Sequence, residues 1–308
     1  MMCALQTTFS RKPDLSPLRF ELFGFGGAGC NIISESNYPS VAVGISQADI
    51  NRCRKSRKLL LDPVTLSGFA DADPAVLSPD ILPLEVRESL SDNDIPVFFA
   101  GLGGFAGTNG IRMFASLARM ANKFSISLVS LPFSVEGPVR MEIASRSLGD
   151  LRKRSDIVIS FENDKLTSLV PKMPIDKAFK LMNAIMERPV MDLSRVMADS
   201  DVSMMRQIAQ RSSVFKLGVG LGRGAMRDVE AMKEAFLSPW FDFIREDVPS
   251  AFLVISSYPI DHGEVNGIVR DVQGQLTSAR LMYGIYEDPT VGDKIRVTLL
   301  VGKPLNIA

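Results

Sequence analysis

The sequence predicts an α/β protein in which a mostly parallel sheet, covered on both faces, is joined by a long central helix to a smaller α+β domain. Three observations lead there. Apolar runs of strand length alternate with stretches of helical spacing through the first half of the chain, the pattern of a buried parallel sheet with helical crossovers. Two glycine-rich turns each stand between a strand and a helix. One long apolar stripe at helical spacing lies mid-chain, and the pattern changes beyond it.

Residues 1–18 are polar, carry Pro13 and Pro17, and read as an extended arm. Residues 19–24 alternate and run into glycines, as a strand entering a turn does, and residues 28–36 read as a helix. Residues 41–45, 95–100, 125–131 and 157–161 are further strands. Ile111, Phe114, Leu117, Ala118 and Ala121 fall at helical spacing, and a charged helix covers about 139–153. Phe179, Met182, Ile185, Met186, Val190, Leu193, Val196 and Met197 form the long stripe. It fits one helix kinked at Pro189 or two consecutive helices with Pro189 opening the second. Beyond Met204, residues 214–219, 251–256, 279–286 and 294–301 read as strands, the last two as a pair, and 226–236 and 263–272 as helices. The expected division is an arm at 1–18, a first domain at 19–174, the central helix and its loop at 175–202, and an α+β domain at 203–308.

Composition narrows the function classes. Of 308 residues, 46% are hydrophobic and 23% charged, and 35 basic residues balance 35 acidic ones. A globular fold is expected, with no basic excess to suit nucleic acid. Cys3, Cys30 and Cys53 are odd in number and scattered, which fits a reducing compartment better than a disulfide framework. His262 is the only histidine. It excludes His-rich zinc sites and leaves a single candidate for any Ser–His or Cys–His machine. No metal site is expected from the side chains alone. Residues 1–18 contain no signal-peptide run. The longest uncharged stretch, 95–111, is broken by five glycines, and a membrane span needs about 20 mostly apolar residues. A cytoplasmic protein without direct membrane insertion is expected. Arg52, Arg54, Lys55, Arg57 and Lys58 cluster as a solvated helix face or a phosphate-contacting patch.

The first glycine turn, FGFGGAGCN (Phe23 to Asn31), follows a strand and opens a helix. Gly26, Gly27 and Gly29 let backbone amides approach an anion, and the helix start supplies partial positive charge. A tight turn with no ligand satisfies the same sequence. The second, AGLGGFAGTNG (Ala100 to Gly110), also links strand to helix. Two such turns at one sheet edge can hold a polyphosphate from two sides, with the Thr108 hydroxyl offered to a phosphate oxygen.

Several segments then resemble the FtsZ/tubulin superfamily, in order, from about Phe20 to Gly302. PFSVEGPVR (Pro132 to Arg140) resembles the family's PFxFEGxxR loop. SDIVISFENDKL (Ser155 to Leu166) resembles its VDxLIxIPNDKL strand and turn. GVGLGRGAMRDVEAMKEAFLSP (Gly218 to Pro239) resembles its GxGxxxGxxRAxxAxxxAxxSP segment. Bacterial and archaeal FtsZ is the nearer branch. The resemblance implies a Rossmann-like GTPase domain, GTP or GDP at the C-terminal sheet edge with Mg²⁺ as a further candidate, and head-to-tail filaments of the chain itself. Another FtsZ-like protein is a second candidate partner. It implies that Gly26, Gly27, Ala28, Gly29 and Asn31 form the first phosphate loop and that Gly103, Gly104, Gly107 and Thr108 belong to the signature loop. Glu136 is implied to accept from the ribose hydroxyls, Arg140 to reach the ribose and phosphates, Asn163 to read the guanine edge, and Phe179 to stack on the base.

The departures from the family pattern point to altered activity. Its GGGTGTG signature is GGFAGTN here, placing Phe105 and Asn109 at glycine positions where a positive φ would be costly for a large side chain. The GAGANP loop is FADADP, so Asp71 and Asp73 bring negative charge toward a terminal phosphate. The second base-reading position, an acid in the family, aligns with Ala184. The family's NxDxxD, which one subunit supplies to the nucleotide of the next, aligns with Asp199-Ser-Asp201-Val-Ser-Met204 across a gap. Asp201 fits the first catalytic position, Asp199 takes part of the role if the alignment slips, and Met204 stands at the second. A thioether cannot deprotonate water. Both aspartates equally suit the cap of a helix starting near Ser203. The last predicted strand is followed by only a short end, so tethering through an adaptor-binding tail is not expected.

Three functions follow. The first is a divergent FtsZ-like protein of cell division or cell shape that binds GTP/GDP and assembles head to tail, with GTP hydrolysis slow or absent. The second is a tubulin-like scaffold without nucleotide that acts through a partner. The third, a dinucleotide-dependent oxidoreductase, rests on the GFGGAG turn alone and lacks an acid after the second strand, where Ser46 and Gln47 stand.

Overall fold

The computed structural model describes residues 6–9, 18–51, 53, 57–72, 84–90 and 94–305. The chain divides into two compact units, Arg19–Glu187 and Met1–Leu18 with Arg188–Ala308. Within the polar arm, Gln6–Thr8 form strand β1. Cys3, Pro13, Pro17, Arg52, Arg54, Lys55, Asp73 and Pro74 lie outside the described residues.

The first unit is built on β2 (Phe20–Phe25), β3 (Ser40–Gly44), β4 (Arg57–Leu60), β5 (Ile95–Gly101), β6 (Ile126–Leu131) and β7 (Ile157–Glu162). All pair in parallel, in the order β7-β6-β5-β2-β3-β4. Parallel neighbours need crossovers. Here these are α1 (Gly26–Ile33), α2 (Gln47–Ile50), α3 (Pro63–Asp71), α4 (Leu84–Ser89), α5 (Phe105–Met120) and α6 (Pro138–Leu151), with α7 (Asn163–Leu169) following β7. β2 and β5 are buried along almost their whole length, which fits the apolar run of β5 and the phenylalanines and Leu22 of β2 around the paired Glu21. Phe23 meets Phe98 at 5.6 Å between ring centroids, and Phe25 meets Phe114 of α5 edge to face at 5.1 Å. These rings fasten β2, β5 and α5 together. The register Phe25↔Ala100 then ends both strands at the same edge, each running into its glycine turn.

Arg57 and Lys58 lie on β4, an edge strand, so this part of the basic cluster is not the helix face expected above. Only Leu59 of this edge strand is buried, while Arg57 and Lys58 stay exposed, and Arg57 pairs with Glu21 at 2.8 Å.

The stripe at 179–197 belongs to one helix, α8 (Ile175–Val196), with Pro189 inside it, which settles the choice between one helix and two. α9 (Val202–Ala209), β8 (Ser212–Gly222), α10 (Arg227–Phe236), β9 (Ser250–Ser257), α11 (His262–Gln275), β10 (Arg280–Glu287) and β11 (Ile295–Pro304) complete the second unit. Its strand order is β1-β10-β9-β11-β8. β10 and β11 therefore do not pair with each other, against expectation. α11 carries the chain over from β9 to β10 in a parallel crossover, and β11 returns antiparallel on the far side of β9. A core of Leu253, Ile255, Ile268, Val272, Val297 and Leu299 joins α11 to the sheet. His262 is exposed at the start of α11, away from any nucleophile pairing.

Candidate functional site

A cavity of about 750 Å³ opens at the C-terminal edge of the first unit's sheet, where the ends of β2, β3, β5 and β6 meet. Both glycine turns form its wall. Gly26 has φ +61°, and a Cβ there would stand 3.1 Å from the amide nitrogen of Gly107 in the second turn. Gly103 has φ +92°, and a Cβ on it would stand 2.9 Å from the Arg140 carbonyl oxygen. The two turns thus lock against each other and against α6 only because those side chains are missing. α1 and α5 both begin here, and neither has a side-chain cap, since Phe25 and Gly104 precede them. Uncapped helix starts carry amide donors and partial positive charge, the arrangement that receives phosphate.

Among the residues expected in the site, Gly26, Gly27, Ala28, Gly104, Gly107, Glu136, Arg140, Asn163 and Phe179 line this cavity. Asn31 lines an adjoining chamber of about 310 Å³, which Gly27, Ala28, Asn163 and Phe179 share. Gly29, Gly103 and Thr108 line neither. A Cβ on Gly29 would collide with the Phe99 carbonyl oxygen, so this glycine serves the packing of α1 on the sheet. Thr108 is buried, and its Oγ1 accepts from the Gly103 N–H at 3.0 Å. The hydroxyl expected to face a phosphate instead shapes the loop.

Phe105 and Asn109 are not at positive φ; among the described non-glycine residues only Asn122 is. The left-handed position falls on Gly103, and Phe105 is already the first residue of α5. The expected strain is absent, and the Phe105 ring, 47% exposed, stands at the cavity wall. Ala184 is exposed and lines neither chamber, whereas Asn183 lines the smaller one. Four residues separate Asn183 from Phe179, which puts both on one helix face; five turn Ala184 away. Asn183 Nδ2 donates to the Asn31 carbonyl at 3.5 Å. Helical spacing from Phe179 was the signal that would have found it.

Among the described residues, three charged ones line the larger cavity: Asp49, Glu136 and Arg140. Arg140 Nη1 pairs with Glu136 Oε2, and Glu136 Oε1 accepts from the Phe133 N–H at 2.8 Å. Asp49, unforeseen from sequence, accepts from the Ser46 hydroxyl at 3.0 Å. Ser46 caps α2 and Asp49 follows three residues later, a capping-box spacing that marks the end of β3 at this same edge. Phe133 packs edge to face on Phe179 at 6.1 Å, fixing a ring beside both chambers.

Asp199 and Asp201 lie in the other unit, on a single turn ahead of α9. Asp199 is exposed. Asp201 is buried, and its Oδ2 accepts from the Ala198 N–H at 2.8 Å. Of Asp71, the structure places only the backbone, at the end of α3. Cys30 and Cys53 are buried and in the thiol form, and their mutual hydrogen bond, burial and nearby charge push the Cys30 thiol far above its usual range.

A parallel sheet ending in two interlocked glycine turns, continued by one long helix into a second α/β unit, defines a tubulin-type protein. Residues 21–171 match the Tubulin/FtsZ family, GTPase domain, and the chain belongs to the FtsZ/tubulin superfamily, of the archaeal FtsZ-like type. It is 28% identical over 293 residues to Cell division protein FtsZ 1 of Thermococcus kodakarensis, covering 90% of this chain and 79% of that one. Its fold is similar to an empty FtsZ dimer structure from M. jannaschii, with a TM-score of 0.78, 22% identity, and 93% and 88% of the two chains covered. It is also similar to a GTPγS-bound protofilament of CetZ2 from Haloferax volcanii, with a TM-score of 0.72, 21% identity and 94% of each chain covered. Among the described residues no helix is long and apolar enough to cross a membrane.

Proposed function

We propose that this chain is a divergent FtsZ-like cytoskeletal protein that binds GTP or GDP in the cavity at Gly26–Ala28 and assembles head to tail, in division or shape, in the cytoplasm. The observation that carries the proposal is a cavity bounded by two uncapped helix starts, with Phe179 and Asn163 shared between it and an adjoining chamber that Asn183 lines. In it, the glycine turns hold phosphates by backbone N–H groups, Glu136 accepts from ribose hydroxyls, Asn163 and Asn183 meet the base edge, and Phe179 stacks on the ring. Mg²⁺ fits this donor set, because it takes one or two carboxylates together with phosphate oxygens, and among the described residues Asp49 is the lining carboxylate not already paired with Arg140.

Hydrolysis is weak in this reading, since the segment 199–204 offers Asp199 and Asp201 but a thioether at 204. The dimer and the protofilament named above support self-association; another FtsZ-like chain is a further partner to test. A nucleotide-free scaffold is the second reading, favoured by Phe105 at the cavity wall and, among the described residues, by two carboxylates against one guanidinium in the lining. The oxidoreductase reading draws no support from the family. Extraction of the purified protein and identification of retained nucleotide separates these: guanine nucleotide supports the first reading, none retained and no calorimetric heat at millimolar GTP or GDP supports the scaffold, and a dinucleotide supports the third.

A further inference from the structure

Arg280 opens β10 and touches α9, the helix that follows the turn of Asp199 and Asp201. Its Nη2 reaches Met204 Sδ at 3.9 Å, and its Nε is buried without a hydrogen-bond partner. No carboxylate among the described residues pairs with it. A thioether is a weak acceptor that neutralises no charge, and a buried donor left unpaired is costly enough to require an explanation. The nucleotide cavity has the opposite shortage. Among the described residues its lining holds one cation, Arg140, already paired with Glu136, beside the further carboxylate of Asp49. A terminal phosphate bound there finds amide donors but, among the described residues, no unpaired cationic side chain.

We infer that Arg280 is a phosphate ligand supplied in trans: in a head-to-tail stack, its guanidinium answers the terminal phosphate of the nucleotide held by the next copy. The inference rests on the nucleotide binding and assembly proposed above and adds the residue that couples them. A guanidinium fork matches phosphate oxygens and stays charged at any working pH. Met204 acquires a role in the same step. A thioether leaves the guanidinium free to meet an incoming anion, whereas a carboxylate at that position would pair with Arg280 and cancel its charge. The surface is thereby suited to holding phosphate rather than to activating water.

The test compares wild type, Arg280→Gln and Arg280→Lys by sedimentation with GTP and with GDP, and by nucleotide affinity below the assembly concentration. The critical concentration with GTP is expected to rise about tenfold or more in Arg280→Gln, the scale of one lost charge-assisted hydrogen bond. Arg280→Lys, which keeps the charge, should recover much of it. Assembly with GDP should change less, and nucleotide affinity of the unassembled chain should stay within about twofold of wild type. Arg280→Gln assembling with GTP as wild type does, or losing affinity as a monomer, overturns the inference alone. A wild type that neither binds nucleotide nor assembles overturns the proposed function and this inference with it. Arg280→Lys folding but failing like Arg280→Gln while circular dichroism of both matches wild type rejects charge as the cause.

Discussion

Tyr286 Oη donates a hydrogen bond to Asp192 Oδ1 at 2.8 Å, tying the C-terminal half of α8 to β10. Thr298 of β11 donates to Oδ2 of the same carboxylate at 2.5 Å, and Arg188 and Arg296 stand at 3.5 and 3.7 Å. Asp192 is 1% exposed. A buried carboxylate satisfied from four sides is strongly committed to its place. Asp192→Ala strands these donors and is expected to destabilise the second unit by about 3–5 kcal/mol, the scale for breaking a buried ion pair from one side. Trp240, the sole tryptophan, is buried in that same unit, so its fluorescence during urea unfolding reads the loss directly. Unfolding of Asp192→Ala at the wild-type midpoint would show that the network carries no net stability.

The same contact makes a pH prediction. Burial, and then the Asp192 charge, push the Tyr286 phenol up from 10.0 to about 12, against a smaller opposing effect of Arg296. The folded state holds this proton more tightly, so the unfolded state ionises first. The contribution is complete below pH 10 and is lost as pH rises to about 12. Thermal midpoints should fall more steeply across that window in wild type than in Tyr286→Phe, which has nothing to ionise there. Parallel curves for the two proteins would refute it.

Glu136 joins the Phe133 N–H, through Oε1, to the Arg140 guanidinium, through Oε2. If it also accepts from ribose, Glu136→Ala should weaken GDP binding by roughly 1.5–3 kcal/mol, about ten- to a hundredfold in Kd. Titration calorimetry with GDP measures it. An unchanged affinity would remove Glu136 from the binding residues, with its pairing to Arg140 left as a surface ion pair.

Base selectivity turns on Asn183. An amide offers one acceptor and two donors, while a carboxylate offers acceptors only. Guanine presents two neighbouring donors on its edge, and adenine presents an acceptor there. Asn183→Asp is therefore expected to strengthen GDP binding and to weaken any ADP binding, and Ala184→Asp to change neither. If Ala184→Asp alters selectivity and Asn183→Asp does not, the assignment from helical phase is wrong.

That assignment marks how far the sequence could be read. The apolar runs of β2 and β5 and the glycines after them were legible, because a strand buried on both faces and a turn needing Gly26 or Gly103 leave few alternatives. The continuous helix through Pro189 was legible only as one of two options, since the apolar phase on both sides fits either. Strand partners were not legible. β10 and β11 are neighbours in sequence with a short connection, yet β9 lies between them because α11 imposes a parallel crossover. β4 hid in a basic cluster because this edge strand buries only Leu59 and can carry charge at its other positions. At the site, residue types announced the glycine turns, Glu136 and Arg140, but the roles of Thr108, Phe105 and Asn183 depend on loop conformation and helical phase. Family spacing does not report either one.

Catalysis is the remaining question, and the turn at 199–204 frames it. Asp201 is buried and spends one oxygen on the Ala198 N–H, whereas Asp199 is exposed. If hydrolysis is slow because position 204 lacks an acid, Met204→Asp should raise phosphate release per assembled subunit by about 10²-fold or more, the range for a positioned acid–base group. Rates must be taken per sedimented protein, because a carboxylate so close to Arg280 will pair with it and weaken assembly. Asn variants at 199 and 201 in that background then find its partner. Asp201→Asn keeps an acceptor for Ala198 and removes only the charge. Loss of the gain in Asp201→Asn but not in Asp199→Asn places the loop in the family register. Loss in Asp199→Asn alone shifts the register and gives the role to the exposed acid. Wild type releasing phosphate as fast as Met204→Asp would show that the missing carboxylate does not limit the reaction.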